Sequence, residues 1–358
     1  MRAKGRCLAA VAASILALAG CTEKPRVLRL YTWVEYTAPE VVSAFERKYN
    51  CTVEIVTFDT NEDMLTRLRD DGCGAYDVIV PSVYLVRQMA REGLIAPVDH
   101  AKCPSVKRNF LREYAKMMSD DPEFKYAVPY GISRSGLMYS TRRIPSGMTV
   151  DSWSILGNPA VRGHVFMIDD MREVLGLALI YRGCSANSED AGEIAAAADQ
   201  ILAWAPNVAL WDSYDSMLEK SGDEIWLWHT YGDMANYVMS GTAKAFAGMG
   251  MAIADPKEGC IFSSEVMTVS SGCRDADLAH AFIEFLYADA EIGRAHMVFN
   301  GCLLPCAPAL EKVPPKVREL IVPSPEVLSR GQSLSGFDGR PEVQALYEKA
   351  WERIVKGR

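Results

Sequence analysis

The sequence predicts an α/β protein built as two bodies joined by a pair of crossing segments. From Val27 onward, short apolar runs alternate with amphipathic runs, the pattern of an α/β domain with a largely parallel sheet. Past Tyr130 the same alternation begins again with new punctuation. The chain then returns, with a strand pattern at Val266 to Val269 and a helix pattern over Asp275 to Ala288. A hinge of two crossings follows if Tyr130 to Gly136 and Phe262 to Met267 connect the two bodies.

In the first body, Val27 to Thr32 reads as a strand, and Thr37-Ala38-Pro39-Glu40 reads as a capping box that opens a helix through Asn50. Cys51 to Phe58 is a strand, Asn61 to Asp71 an amphipathic helix, Asp77 to Val80 a short apolar strand, and Tyr84 to Glu92 a helix ended by Gly93. In the second body, strands are expected near Gly136 to Ser140, His164 to Ile168, Ile225 to Trp228 and Ala243 to Phe246. Helices are expected at Glu173 to Arg182 and Glu189 to Ala205. A closing helix runs from Glu342 to Lys356, with Pro341 suited to its first turn.

Ahead of these elements lies an apolar run from Cys7 to Gly20, preceded by Arg2, Lys4 and Arg6 and ending in Leu18-Ala19-Gly20-Cys21. Small residues before a Cys, behind a short apolar stretch, form a bacterial lipoprotein signal. Residues 1–20 are then expected to be removed, Cys21 to carry the lipid, and 21–26 to act as a tether. The run is too short to span a bilayer, which takes about twenty apolar residues. The expected location is extracytoplasmic or periplasmic, anchored to the membrane through Cys21.

With 358 residues, 49% of them hydrophobic, the chain has material for two cores. Its formal charge of −8 becomes −11 once Arg2, Lys4 and Arg6 leave with the signal, a balance that disfavours nucleic acid and suits a cationic ligand. Of ten cysteines, eight remain after Cys7 and Cys21 are set aside, and none shows the C-x-x-C spacing of a zinc site. Cys302 and Cys306 have no His nearby, and the five histidines form no H-E-x-x-H. Neither a metal nor a cofactor is expected.

Several acids and rings fall just past the carboxyl ends of the expected strands, where open α/β sheets form ligand crevices. They are Trp33, Glu35 and Tyr36, then Ser82 and Tyr84, then Asp170 and Glu173, then Asp233, with Glu265 on the second crossing. Carboxylates flanked by rings suit an organic ammonium, whose hydration must be replaced by charge, hydrogen bonds and ring faces. Each also has a purely structural reading. Asp170 and Glu173, at i and i+3, fit an N-cap and its capping-box partner; Glu35 fits an exposed turn, Asp233 a helix start, and Glu265 a strand edge. For Trp33, Tyr36 and Tyr84, burial statistics taken alone favour core or rim positions.

The chain resembles the spermidine/putrescine-binding proteins of bacterial ABC transporters over nearly all of its length after Cys21. Four segments carry the likeness in order: LYTWVEYTAPEVVSAFE from Leu30 to Glu46, GAYDVIVPSVYLV from Gly74 to Val86, IDDMREVLGLAL from Ile168 to Leu179, and PKEGCIFSSEV from Pro256 to Val266. The resemblance implies a type II periplasmic-binding-protein fold, a polyamine ligand, delivery to a membrane permease, and a monomer without enzymatic activity. It implies a first lobe of 27–134 and 265–307 and a second of 135–264 and 308–358. Trp33, Glu35, Tyr36, Ser82 and Tyr84 would line one lobe, and Asp170, Glu173, Tyr231 and Asp233 the other. Glu265 stands where the family has a crossing Asp, one methylene longer. Ser263 and Cys302 replace family aromatics, and Trp228, Thr230 and Tyr231 compete for the place of the loop tryptophan.

Other classes fit less well. Gly131-Ile132-Ser133-Arg134-Ser135 lacks the closing Gly of a hydrolase elbow, and Gly72-Cys73-Gly74 lacks the third Gly of a dinucleotide fingerprint. A different cationic or zwitterionic solute on the same fold, and a sensor partner that shares the fold without transport, remain the alternatives.

Overall fold

A computed structural model describes residues 26–358 except 214, 215, 221, 222, 240 and 242. The signal segment, Cys21 and the tether up to residue 25 lie outside the described residues. Eleven strands among these residues join into one curled sheet. They are β1 Arg26–Trp33, β2 Cys51–Phe58, β3 Val78–Ile79, β4 Ile95–Ala96, β5 Ala127–Ser140, β6 Val165–Ile168, β7 Val208–Asp212, β8 Leu227–Tyr231, β9 Met251–Ala254, β10 Ile261–Ser270 and β11 Gln332–Ser333.

Strand order along the sheet is β2-β1-β3-β10-β5-β8-β6-β7. At one end β1 runs parallel to β2 and β3, and at the other β6 runs parallel to β7 and β8. Between them the long strands β5 and β10 pair antiparallel with each other, β10 also antiparallel with β3 and β5 with β8. The expected largely parallel sheet is therefore parallel within each end, antiparallel where β5 and β10 cross, and parallel again where β11 joins β10. A chain that leaves one body and returns must cross in both directions, and the two crossings pair with opposite sense.

Apolar side chains gather on either side of this seam. Leu30, Phe45, Val78, Met267 and Phe282 belong to one buried cluster, and Trp153, Val165, Leu177, Ile201 and Tyr347 to another. Val313, Ile321 and Val327 pack with the former, Val343 and Ile354 with the latter. At the seam the buried Arg134 of β5 makes a two-pronged pair with Asp255, at 2.6 and 3.1 Å, and donates to the Leu320 carbonyl at 3.0 Å. That fork ties the crossing strand to segments on both of its flanks.

Two local expectations fail for tertiary reasons. Helix α1 spans Pro39–Tyr49 with Ala38 as its N-cap and no side-chain cap, because the Thr37 hydroxyl bonds instead to the buried Tyr130 hydroxyl of β5 at 2.7 Å. Pro39, which has no N–H to satisfy, opens the helix in place of a capping box. The stretch Ala243 to Phe246 is a short 3-10 turn over Lys244–Phe246 rather than a strand. Gly241, Gly248 and Gly250 around it adopt positive φ, and Phe246 turns inward to meet the Trp228 ring edge-on at 5.3 Å. By contrast β2 and the helix α2, Asn61–Asp71, match their expected limits.

Substituting Tyr130→Phe keeps the ring and removes the hydroxyl that Thr37 needs. Leaving a buried hydroxyl without its partner should cost about 1–3 kcal/mol, read as a lower urea midpoint. An unchanged midpoint would show that this bond does not hold the start of α1 to the crossing strand.

Candidate functional site

The site forms where β10 breaks register against β5, between Glu265 and Val266. An irregularity of this kind re-aims the side chain beside it. Here it leaves Glu265 bridged to Ser82, the residue that follows β3 and Pro81. The Ser82 hydroxyl lies 3.0 Å from each oxygen of the Glu265 carboxylate, and the Trp33 indole N–H donates to Oε2 at 3.0 Å. Trp33 is the last residue of β1, its ring 4.6 Å from Phe58 at the end of the neighbouring β2. Two strand ends and a break of register thus converge on one carboxylate.

After Trp33 the chain turns through Glu35, which takes a left-handed conformation with φ of 51° that few residues other than Gly adopt. Glu35 is exposed in that turn, with no hydrogen bond to the cluster among the described residues. Tyr36 comes back into the site, its hydroxyl 3.1 Å from the Cys302 sulfur and its ring 5.8 Å from Tyr130. This pair lies against the β5 backbone only because residue 131 is Gly. A Cβ there would sit 2.8 Å from the Tyr36 hydroxyl and 3.0 Å from the Cys302 Cβ.

From the other side, Asp233 lies in the first turn of the helix Gly232–Met239. The Ser133 hydroxyl of β5 donates to Asp233 at 3.4 Å and accepts the Gly232 N–H at 3.1 Å. Asp170 caps the helix Met171–Tyr181, accepting the Glu173 N–H at 2.8 Å. Glu173 itself is buried, with its carboxylate 3.4 Å from Nε2 of the buried His229. Trp228 is wholly buried in the core, which leaves Tyr231 as the half-exposed ring of that segment.

The electrostatics tie these groups into one neighbourhood. Burial pushes the Glu265 carboxyl up to about 8, and Asp233 adds to the rise, while the Ser82 and Trp33 donors oppose it. Among the described residues, no cation figures in the groups that act on it. The Tyr36 phenol is pushed well above its ordinary range by burial, with Cys302, Glu265 and Asp233 contributing. Burial likewise raises Tyr84, with Glu62, Asp170 and Glu265 behind it, and Tyr231, with Glu173, Asp170, Tyr84 and Asp233 behind it. Asp170 keeps solvent contact at its surface, yet crowding by protein raises it against the effect of its cap.

Of the residues singled out in the sequence, hydrogen bonds join Trp33 and Ser82 to Glu265, and mutual electrostatic influence links Tyr36, Tyr84, Asp170, Tyr231 and Asp233 to that group or to one another. Glu35 faces solvent in its turn, and Glu173 is enclosed beside His229. Two residues of the cluster were not read from the sequence: Ser133, which holds the start of the Asp233 helix, and Asn61, which bonds to Ser82 and Tyr84. The Thr60–Asn61 pair carries only the signal of a capped helix start.

Glu265 folds with its carboxyl near 8 against an ordinary 4.5, so between those values the folded state holds a proton that the unfolded chain has lost. Its contribution to stability is full below about pH 4.5 and declines as pH rises toward 8, by at most about 1.4 kcal/mol per pH unit. Urea midpoints of wild type minus Glu265→Gln, measured from pH 5 to 8 without ligand, should fall along that slope. A flat difference would mean that the carboxyl titrates normally.

Comparison with known proteins follows the same lines. The family described as bacterial extracellular solute-binding protein matches residues 40–318. A spermidine/putrescine-binding periplasmic protein of Escherichia coli is 27% identical over 359 residues, covering 97% of this chain and 98% of the relative. A putrescine/cadaverine-binding protein of Pseudomonas aeruginosa is 25% identical, covering 96% and 97%. Among solved structures, the TpPotD lipoprotein of Treponema pallidum superposes with a TM-score of 0.79 at 27% identity, over 92% of this chain and 99% of that one.

Proposed function

The chain belongs to the bacterial extracellular solute-binding protein family, and we propose that it is a receptor for a linear polyamine, putrescine or spermidine, which it passes to the permease of an ABC transporter. The observation that carries this reading is Glu265: a carboxylate drawn into protein, its proton affinity raised further by the carboxylate of Asp233, with no cation among the described residues that act on it. Such a group is costly to ionise unless a cation arrives from outside. An alkyl ammonium supplies that charge and N–H donors together, and the ring faces of Trp33, Tyr84 and Tyr231 suit its methylenes.

The relatives' names point to the same ligand class. In this reading the two bodies are lobes of a cleft with β5 and β10 as the hinge. Glu265 is fixed to one side through Trp33 and Ser82, and Asp233 and Asp170 belong to the other. A ligand that needs both sets binds the closed form more tightly than the open one, which is the only way a ligand can drive closure. Presentation of the closed monomer to the permease then requires no chemistry on the solute. Cys21 would hold the receptor to the membrane by its acyl chains, on the outer side where the solute is met.

Binding of the ammonium would replace the proton on Glu265. Affinity for putrescine or spermidine, measured by calorimetry, should therefore rise with pH up to about 8, by no more than tenfold per unit, and then level off. Glu265→Gln should remove this dependence and weaken binding roughly 30-fold or more, as expected when one partner of a desolvated ion pair is lost. Affinity unaltered by Glu265→Gln would reject the role given to that carboxylate, and no heat with any polyamine in wild type would reject the ligand while leaving the fold.

A further inference from the structure

We propose that Asn61 is a positioning residue that sets the direction of the hydrogen bond at the ligand carboxylate, so that Ser82 donates to Glu265. The functional consequence rests on the polyamine reading, whereas the bond directions do not.

Asn61 opens α2, where the preceding Thr60 caps the helix through the Asp63 N–H at 3.1 Å. Its side chain is buried and takes no part in that cap. It turns to the loop after β3: the Ser82 backbone N–H donates to Oδ1 at 3.3 Å, and Nδ2 donates to the Ser82 Oγ at 3.0 Å and the Tyr84 hydroxyl at 2.8 Å. A backbone N–H can only donate, so the carbonyl end of the amide must face it. Both amide hydrogens are then committed to hydroxyl oxygens.

Each hydroxyl has one proton and must place it elsewhere. For Ser82 the acceptors within reach are the two oxygens of Glu265, at 3.0 Å each. For Tyr84 the acidic groups that bear on its phenol are Glu62, Asp170 and Glu265. A chain of donation therefore runs from Asn61 through Ser82 to Glu265, and it favours the ionised carboxylate that would hold an ammonium. The other groups facing Glu265 are Trp33 of β1, Tyr36 of the following turn, Tyr84, Asp233 of the helix Gly232–Met239, and Cys302 beyond the helix Ala290–Asn300. Among the described residues Trp33 is the one besides Ser82 that donates to the carboxylate, so the direction of the Ser82 bond is decisive.

The isosteric variant Asn61→Asp replaces the amide donor by an acceptor, which draws the Ser82 proton away and leaves Glu265 with Trp33 alone. The test is an infrared titration of the protonated carboxyl band in ligand-free protein, assigned by its loss in Glu265→Gln. Asn61→Asp should raise the Glu265 midpoint by roughly one pH unit. In a Ser82→Ala background, which has no hydroxyl to relay the effect, the same substitution should raise it by less than half as much. Asn61→Ala removes both donors without adding charge, serves where Asn61→Asp does not fold, and should shift the midpoint in the same direction by a smaller step. Equal shifts in the Ser82 and Ala backgrounds would show that the new charge acts through space; those shifts, or none in any variant, overturn the proposal. Putrescine and spermidine affinities at pH 7 should fall roughly tenfold in Asn61→Asp. Infrared shifts as expected together with no polyamine affinity in wild type would sustain the role of Asn61 and reject the ligand.

Discussion

The arrangement depends on how Glu265 is held. Trp33 ends β1, Ser82 follows β3, and Glu265 stands at the break of register in β10, so the hydrogen bonds among them need two strands to stop and a third to slip in the right places. The parallel pairing of β1 with β3 and the antiparallel pairing of β3 with β10 bring those ends together. The carboxyl is thus positioned by the sheet itself, and a long, flexible side chain becomes a fixed acceptor. Burial raises its proton affinity while two donors restrain the rise. A group poised in this way near neutral pH can exchange a proton for a cation at modest cost.

The seam between the two apolar clusters gives that carboxyl a counterpart. Asp233 is linked to β5 through Ser133, and Asp170 is fixed by its capping bond to Glu173. Asp170 shows how a capping role and an electrostatic role coexist on one side chain. In the proposed function this division between the two sides of the seam converts ligand charge into closure. The forked Arg134–Asp255 pair beside the seam ties the crossing strand to the segment that follows β9.

Much of this was legible in the sequence, and what was not has a common cause. The limits of β2 and α2 follow from apolar periodicity and a capping Thr, which are local signals. The crossings were legible because strand patterns recur near Tyr130 and Phe262. Thr37, Ala243 to Phe246, and Glu173 went otherwise because a distant partner outweighs local preference: Tyr130 takes the Thr37 hydroxyl, Trp228 takes Phe246, and His229 takes Glu173. Asn61 and Ser133 carried no readable signal, since a polar residue at a helix start or within a strand announces its partner only once the fold is formed. The four segments of family likeness include Trp33, Ser82 and Glu265, which the structure joins by hydrogen bonds, and also Glu35, which stands exposed in a left-handed turn.

The central claim is that acids on the two sides of the seam converge on one cation. A crystal structure of the complex with putrescine or spermidine tests it most directly. The account predicts an ammonium nitrogen within roughly 3 Å of a Glu265 oxygen, with Asp233 closing on the same ligand from across the cleft. A polyamine seated elsewhere, with Glu265 still bonded only to Trp33 and Ser82, would contradict it.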